Sequence, residues 1–362
     1  MNFNSPNLSS NRKSKTFNNP ERFIEGWYWA ISSDRLRVGE VKAITLLGRD
    51  LVIYRGKDKK AVTFDAYCPH MGAHLADGKV EGNGLRCYFH QWKFDSEGFC
   101  VDIPCLDELL PLQLKAWPTA EQYGMIWVWT GEFPLEPLPF IPELEAQDFD
   151  VTIISQFIAN CHPHAVIINA IDTQYFNTVK RVPVENIFEP QELNQNAIAF
   201  TNNTQGRKGN YLSKLIRPFY KNDLNYSVCY WYGSTSMVTF MPNFLHLHFM
   251  LTLRLIAGGK TEGHTILMIK KRQGILGRLY NRVVLSLGKV LSQDFLKVDA
   301  KIFEKIQFDF RTPVKTDQAI MQFINHLERQ PALSWGTWQQ ARSLRDPEPR
   351  DNRDKWRDAL ND

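Results

Sequence analysis

The sequence predicts an α+β protein of two parts: a strand-rich first third, then antiparallel strands that lead into a long helix. Three observations predict it. Between Phe23 and Trp129 the chain is a series of short β-branched and aromatic runs punctuated by Gly, Asn, Asp and Ser. Four prolines within residues 134–142 then interrupt the pattern, as a segment between domains does. Beyond them, longer strand-like runs precede residues 274–310, where Leu and Val recur at helical spacing. At 362 residues the chain can hold two domains, each with its own core.

Each element has its local reason. Residues 1–20, rich in Asn and Ser and lacking the apolar core of a secretory signal, read as a disordered lead. A first domain over 21–133 holds strands near 27–31, 43–47, 51–54, 61–67 and 125–129, with glycines turning the chain around residues 78–84. Residues 134–145 form the linker. In a second domain over 146–340, strands are expected near 150–157, 197–201, 225–231, 236–240, 245–256 and 264–270, with a helix over 165–179. The helix from Gly274 places Leu276, Leu279, Val283, Leu287 and Leu291 on one face and Arg278, Arg282 and Lys289 on another. Its expected place is against the core, apolar face inward; peripheral contact with a membrane is the other reading. Residues 341–362, with six basic and six acidic side chains, read as a solvated tail.

Composition narrows the function. The chain is 43% hydrophobic and 23% charged, ordinary for a soluble globular protein, and its net charge of +4 is too small to argue for nucleic acid. No apolar run is long enough to be a transmembrane helix. Of six cysteines, Cys100, Cys105, Cys161 and Cys229 could form disulfides, but a chain this size does not need them and a reducing cytoplasm is expected; Cys100 and Cys105 read as small buried residues of the first domain. No Gly-x-Gly-x-x-Gly opens a helix, so any electrons must come from a separate protein.

The stretch from Cys68 to His90 carries the chemistry. It reads Cys68-Pro-His70, then sixteen residues, then Cys87-Tyr-Phe-His90. Two thiolates and two imidazoles in this order suit a [2Fe–2S] cluster whose one iron takes both cysteines and whose other takes both histidines. Zinc also accepts Cys₂His₂, but zinc-finger spacing pairs like with like, whereas each arm here carries one of each.

The loops Asp65-Ala-Tyr-Cys-Pro-His-Met-Gly-Ala-His-Leu and Cys87-Tyr-Phe-His-Gln-Trp-Lys-Phe-Asp-Ser-Glu-Gly resemble the cluster-binding loops of Rieske proteins. Over nearly its whole length the chain resembles the α subunit of the ring-hydroxylating Rieske non-haem iron oxygenases. The resemblance implies an all-β Rieske [2Fe–2S] domain followed by a helix-grip domain, an antiparallel sheet plus helices. It also implies electrons from a ferredoxin or flavin reductase, a hydrophobic ring, sterol or pigment-like substrate, and a homotrimer. His74, beside the first loop, reads as structural.

The family's second domain holds mononuclear Fe(II) on two histidines and a carboxylate, introduced by Asn-x-x-Asp-x-x-His with a further His five positions on. The matching stretch here is Asn169-Ala-Ile-Asp172-Thr-Gln-Tyr175-Phe-Asn-Thr-Val-Lys180. Asn169 and Asp172 stand in place, but Tyr175 and Lys180 replace both histidines. The resemblance places the carboxylate at Asp294, with Asp299 pointing elsewhere. The expectation is that Lys180 takes the metal's position, paired with Asp294 and hydrogen-bonded to the Tyr175 hydroxyl. A relocated iron would draw on His162, His164, His246 and His248. Asp172 is expected to bridge to His70 or His90 of a neighbouring subunit. Two functions follow: an oxidoreductase of the oxygenase type, or an electron-relay, redox-sensing or regulatory paralogue without the mononuclear iron.

Overall fold

Turn chemistry folds the first part into three small antiparallel sheets. The computed structural model describes residues 15–106, 109–141, 144, 148–180, 188–204, 224–241 and 247–333. Strand β1 (Trp27–Ser32) pairs with β11 (Met125–Trp129), which pairs with β10 (Thr119–Gln122). A second sheet runs β2 (Val41–Leu46), β3 (Arg49–Arg55), β4 (Ala61–Asp65), β9 (Ala116–Trp117). Leu47 and Gly48, both at positive φ, make the two-residue hairpin turn between β2 and β3 that matches strand twist. The third sheet, β5 (Lys79–Glu81), β6 (Gly84–Arg86), β7 (Lys93–Phe94) and β8 (Cys100–Asp102), carries the cysteine–histidine loops.

β11 separates two cores. Its residues alternate by the period of two: Ile126 and Val128 pack with Tyr28, Leu51 and Ile53 of the first domain. Met125, Trp127 and Trp129 pack with Ile167, Tyr232 and Met268 of the second. All five are buried, as a strand covered on both faces must be.

The second domain is a seven-stranded antiparallel sheet. In spatial order it runs β12 (Phe149–Ala159), β18 (Lys260–Lys270), β17 (Leu247–Ile256), β16 (Thr235–Met241), β15 (Leu224–Trp231), β14 (Ala197–Thr204) and β13 (Glu189–Asn194). Strands β13 to β18 pair in sequence order, and β12 closes on β18. Residues 163–180 form a broken helical run: α1 (Pro163–Ile167), a 3₁₀ turn Ile168–Ile171, α2 (Thr173–Tyr175) and a π turn Phe176–Lys180. A long α3 (Gly274–Phe303) and α4 (Gln318–Glu328) follow. α4 buries Ile320, Phe323 and Leu327, with Phe323 against the Tyr230 ring at 4.6 Å.

Four expectations change. Residues 15–20 pack rather than extending a disordered lead: the Thr16 and Phe17 amides donate to Glu328, and Phe17 stacks on His164 at 5.4 Å. The proline-rich linker is pinned, because Tyr232 and Trp27 donate to the carbonyls of Pro137 and Glu136 and Ile141 is buried. The helix expected to reach residue 310 ends at Phe303, where Asn160 takes up the Phe303 and Glu304 carbonyls. The apolar side of α3 faces outward, not inward: Leu276 is 82% and Leu287 56% exposed. One single-residue expectation changes too: Cys100 is buried but Cys105 is exposed. The tail 341–362 and His246 lie outside the described residues.

Trp127 is fully buried and its indole donates to the Gln122 carbonyl at 3.1 Å. Trp127→Ala should lower unfolding stability by about 3–5 kcal/mol, measured as a fall in denaturant midpoint of the intact holoprotein. A change under about 1 kcal/mol would deny β11 its role between the cores.

Candidate functional site

Two hairpin tips bring the cluster residues together. The first follows β4: the Cys68 amide donates to the Ala73 carbonyl at 2.8 Å, and Gly72, at φ +75°, returns its amide to the Cys68 carbonyl at 2.9 Å. The second joins β6 to β7: the Cys87 amide donates to the Trp92 carbonyl at 2.9 Å, across Gln91 at φ +62°. His74 caps the turn after the first loop, its Nδ1 accepting from the Ala76 amide. The two cysteines are buried within the first domain's core, with their thiols in hydrogen-bond reach of one another. His70 and His90 are exposed, their ring centres 4.5 Å apart. Trp92, not singled out in the sequence, lies flat beneath His70 at 4.3 Å. The Cys-x-x-His-x-Trp spacing is the signal that could have found it.

The donor set fits a two-iron cluster. Burial first, and the Cys87 thiol beside it, push Cys68 up to about 12, against the pull of the His70 and Met71 amides. Two adjacent buried sulfurs both ionise readily only where a metal cation compensates them. Sulfur pairs with sulfur and imidazole with imidazole, as two unequal irons require. A single zinc needs all its ligands about one point, and among the described residues no three His, Cys, Asp or Glu side chains gather so. The cluster, when bound, carries one electron at a time. The protein's part is to bury the thiolate side and hold the imidazole side to the surface. Around those imidazoles Met71, Tyr88 and Phe89 are exposed, an apolar rim suited to covering by another protein.

The second site is built on one carboxylate oxygen. Asp299 Oδ1 accepts from the Tyr175 hydroxyl, from Asn169 Nδ2 at 3.2 Å and from Lys180 Nζ at 2.9 Å. The π turn makes this geometry, because its i→i+5 bonding stacks residues five apart, bringing Tyr175 and Lys180 to one side. The Lys180 side chain is 4% exposed and that of Asp299 16%. Burial lowers the Lys180 pKa from its ordinary value while Asp299 holds it up. Burial, then the bond to Asp299, keep the Tyr175 phenol protonated far above its usual range.

The carboxylate is therefore Asp299, where Asp294 was expected. Asn281 and Asp299 are eighteen residues apart on α3, about five whole turns, and Asn281 is buried against Asp150 and Lys270. The face that packs on the protein thus carries position 299. Position 294 lies about 140° round the helix from Asn281, and its side chain is outside those described. Helical register from Asn281 was the available signal.

These residues do not fit a mononuclear iron. A facial triad needs two neutral imidazoles and a carboxylate. Here a phenol, an amide and an ammonium occupy the one carboxylate oxygen. Among the described residues the other candidate histidines do not rebuild the site. His162 and His164 lie 4.4 Å apart, where His162 Nδ1 caps α1 and His164 Nδ1 accepts from the Asn18 amide. His248 is bonded to Thr239 within the sheet. Asp172 is half-buried and caps α2, its Oδ1 accepting from the Tyr175 amide at 2.9 Å; burial raises its pKa.

Comparison with known proteins agrees with this geometry. The family model for the Rieske [2Fe-2S] domain matches residues 26–118. Cholesterol 7-desaturase nvd of Bombyx mori is 36% identical over 166 residues, which are 44% of this chain and 36% of that protein. Aminopyrrolnitrin oxygenase PrnD of Pseudomonas fluorescens is 28% identical over 304 residues, 76% of this chain and 83% of that protein. The chain thus spans about a third of the desaturase and most of PrnD. Among solved structures, NdmB of Pseudomonas putida CBB5 has a TM-score of 0.63 at 17% identity, covering 83% of this chain and 89% of that one. At that identity the likeness is one of fold.

Removing the charge from Asp299 leaves an ammonium buried without its counter-ion. Asp299→Asn should cost about 3–5 kcal/mol of stability, read as a fall in denaturant midpoint at neutral pH. The unfolded lysine keeps its proton to its ordinary pKa, whereas burial lowers that of folded Lys180. The unfolded state therefore binds more protons in that window, and stability rises with pH there. The rise should be steeper in Asp299→Asn than in the parent; equal slopes would mean the pair is not coupled.

Proposed function

We propose that this chain is an oxidoreductase of the Rieske non-haem iron oxygenase family, of the ring-hydroxylating type. It receives electrons at the cluster from a ferredoxin or flavin reductase and acts on a hydrophobic ring, sterol or pigment-like molecule. The observation that carries this reading is the convergence of buried Cys68 and Cys87 with exposed His70 and His90. The imidazole side is where a donor protein reaches the cluster, and the apolar rim of Met71, Tyr88 and Phe89 offers it a dry contact. A relative that carries sterol-desaturase activity in its name, and one named for an aminopyrrolnitrin oxygenase, support an apolar substrate. We place the cluster of one subunit beside Asp172 of the next, in a homotrimer.

A second reading has its own observation. Asp299 Oδ1 is held by Tyr175, Asn169 and Lys180, which favours an electron-relay, redox-sensing or regulatory member without mononuclear iron. In it Lys180 supplies the positive charge that a metal supplies in an intact site.

Iron content separates the two. Anaerobically purified protein should contain about two irons per chain with the EPR signal of a reduced Rieske cluster. The double variant Tyr175→His/Lys180→His, which frees Asp299 and supplies two imidazoles, should rise to about three. Three irons in the parent would overturn the second reading. Absence of the Rieske signal would overturn both.

A further inference from the structure

Helix α3 is amphipathic in the opposite sense to a helix that covers a core. The face it lays on β12 and β18 is small and polar. Asn281 donates to Asp150 Oδ2 at 2.7 Å and to the Lys270 carbonyl at 3.0 Å. Gly288 comes so close to Leu267 that a Cβ there would lie 2.4 Å from its Cδ2. Gly277, Asn281 and Gly288 fall on one side at about 100° per residue.

On the opposite side stand Ile275, Leu276, Leu279, Val283, Leu287 and Val290, between 49% and 82% exposed. Together they make an apolar stripe on the order of 500 Å², comparable with the largest patch on an ordinary monomer. The stripe runs for about 25 Å along the helix, toward the end opposite Asp299. It therefore stands apart from the Tyr175–Lys180–Asp299 site.

The helix's own charged side chains beside the stripe are all basic, although Lys271 before it faces Asp148 at 3.8 Å. Arg278, Arg282 and Lys289 project within about 40° of one another along one border. Lys270, Lys271 and Arg272 stand at the helix start, and the Arg272 guanidinium lies 4.0 Å over the Tyr280 ring. No Asp or Glu occurs from residue 263 to 293, a stretch with six basic side chains, whereas the whole chain nets only +4. The positive field is thus local to this helix.

We propose that the outer face of α3 docks on an anionic lipid bilayer, the helix lying in the membrane plane. The apolar stripe enters the acyl boundary and the basic border meets anionic headgroups. Charge complementarity selects this occupant. An antiparallel two-fold contact with a second copy through the same face would bring the two borders of Arg278, Arg282 and Lys289 to one side, like charge beside like charge. The attachment is peripheral, since among the described residues no helix is long and apolar enough to cross a membrane.

The test is co-sedimentation of the full-length holoprotein with vesicles of phosphatidylcholine and phosphatidylglycerol in equal parts, against vesicles of phosphatidylcholine alone. The parent should pellet with the anionic vesicles and be released by high salt. Arg278→Glu/Arg282→Glu/Lys289→Glu should weaken binding at least about tenfold, and so should Leu276→Gln/Leu279→Gln/Leu287→Gln. Both variants alter exposed side chains, and an unchanged Rieske EPR signal confirms that they fold. Parent protein left in the supernatant, or variants that pellet like the parent, would overturn the proposal. So would a change of mass by light scattering in the apolar variant without a change in vesicle binding, which would make the face a protein interface.

Discussion

An ammonium almost wholly shut off from water needs a counter-charge beside it, and Lys180 has Asp299. Much of the second domain is arranged to keep that pair together. The run of residues 163–180 breaks into short helical turns and ends in a π turn, which puts Tyr175 and Lys180 on one side. Across from them α3 is held in register by Asn281 on Asp150 and by the glycine that lets residue 288 touch Leu267. Asn169 adds a third donor. A metal ion would draw the same elements together; here a lysine does it.

The cluster loops depend on the opposite arrangement of charge. Two buried sulfurs lie side by side, where a cation would compensate their charge, while the imidazoles stand at the surface with Trp92 beneath His70. The domain thus has a buried thiol side and an exposed imidazole side. β11 ties this domain to the second one, its alternate side chains entering two cores. Electron entry and the Asp299 network are then parts of a single packed body rather than beads on a linker.

The ligand loops were legible because their chemistry is local: four donors within 23 residues allow few other metal groups. Strand positions were legible because alternation and turn residues are also local. Three features were not. The choice between Asp299 and Asp294 depends on the register of a long helix against a sheet, which only the packing of Asn281 and Gly288 reveals. The π turn that sets Tyr175 and Lys180, expected as neighbours, on one side has no composition signal. The outward apolar face of α3 defeats the ordinary rule that such a stripe seeks the core, because a small residue at 288 and a polar one at 281 offer the sheet a closer fit.

The central claim is that positive charge at the second site comes from Lys180 and not from a metal. Anomalous diffraction at the iron edge, on crystals of the anaerobically prepared holoprotein, tests it most directly. Iron density is expected among Cys68, His70, Cys87 and His90, and none beside Asp299, with Lys180 Nζ within bonding distance of that carboxylate. An iron peak beside Asp299, with Lys180 displaced, would contradict it.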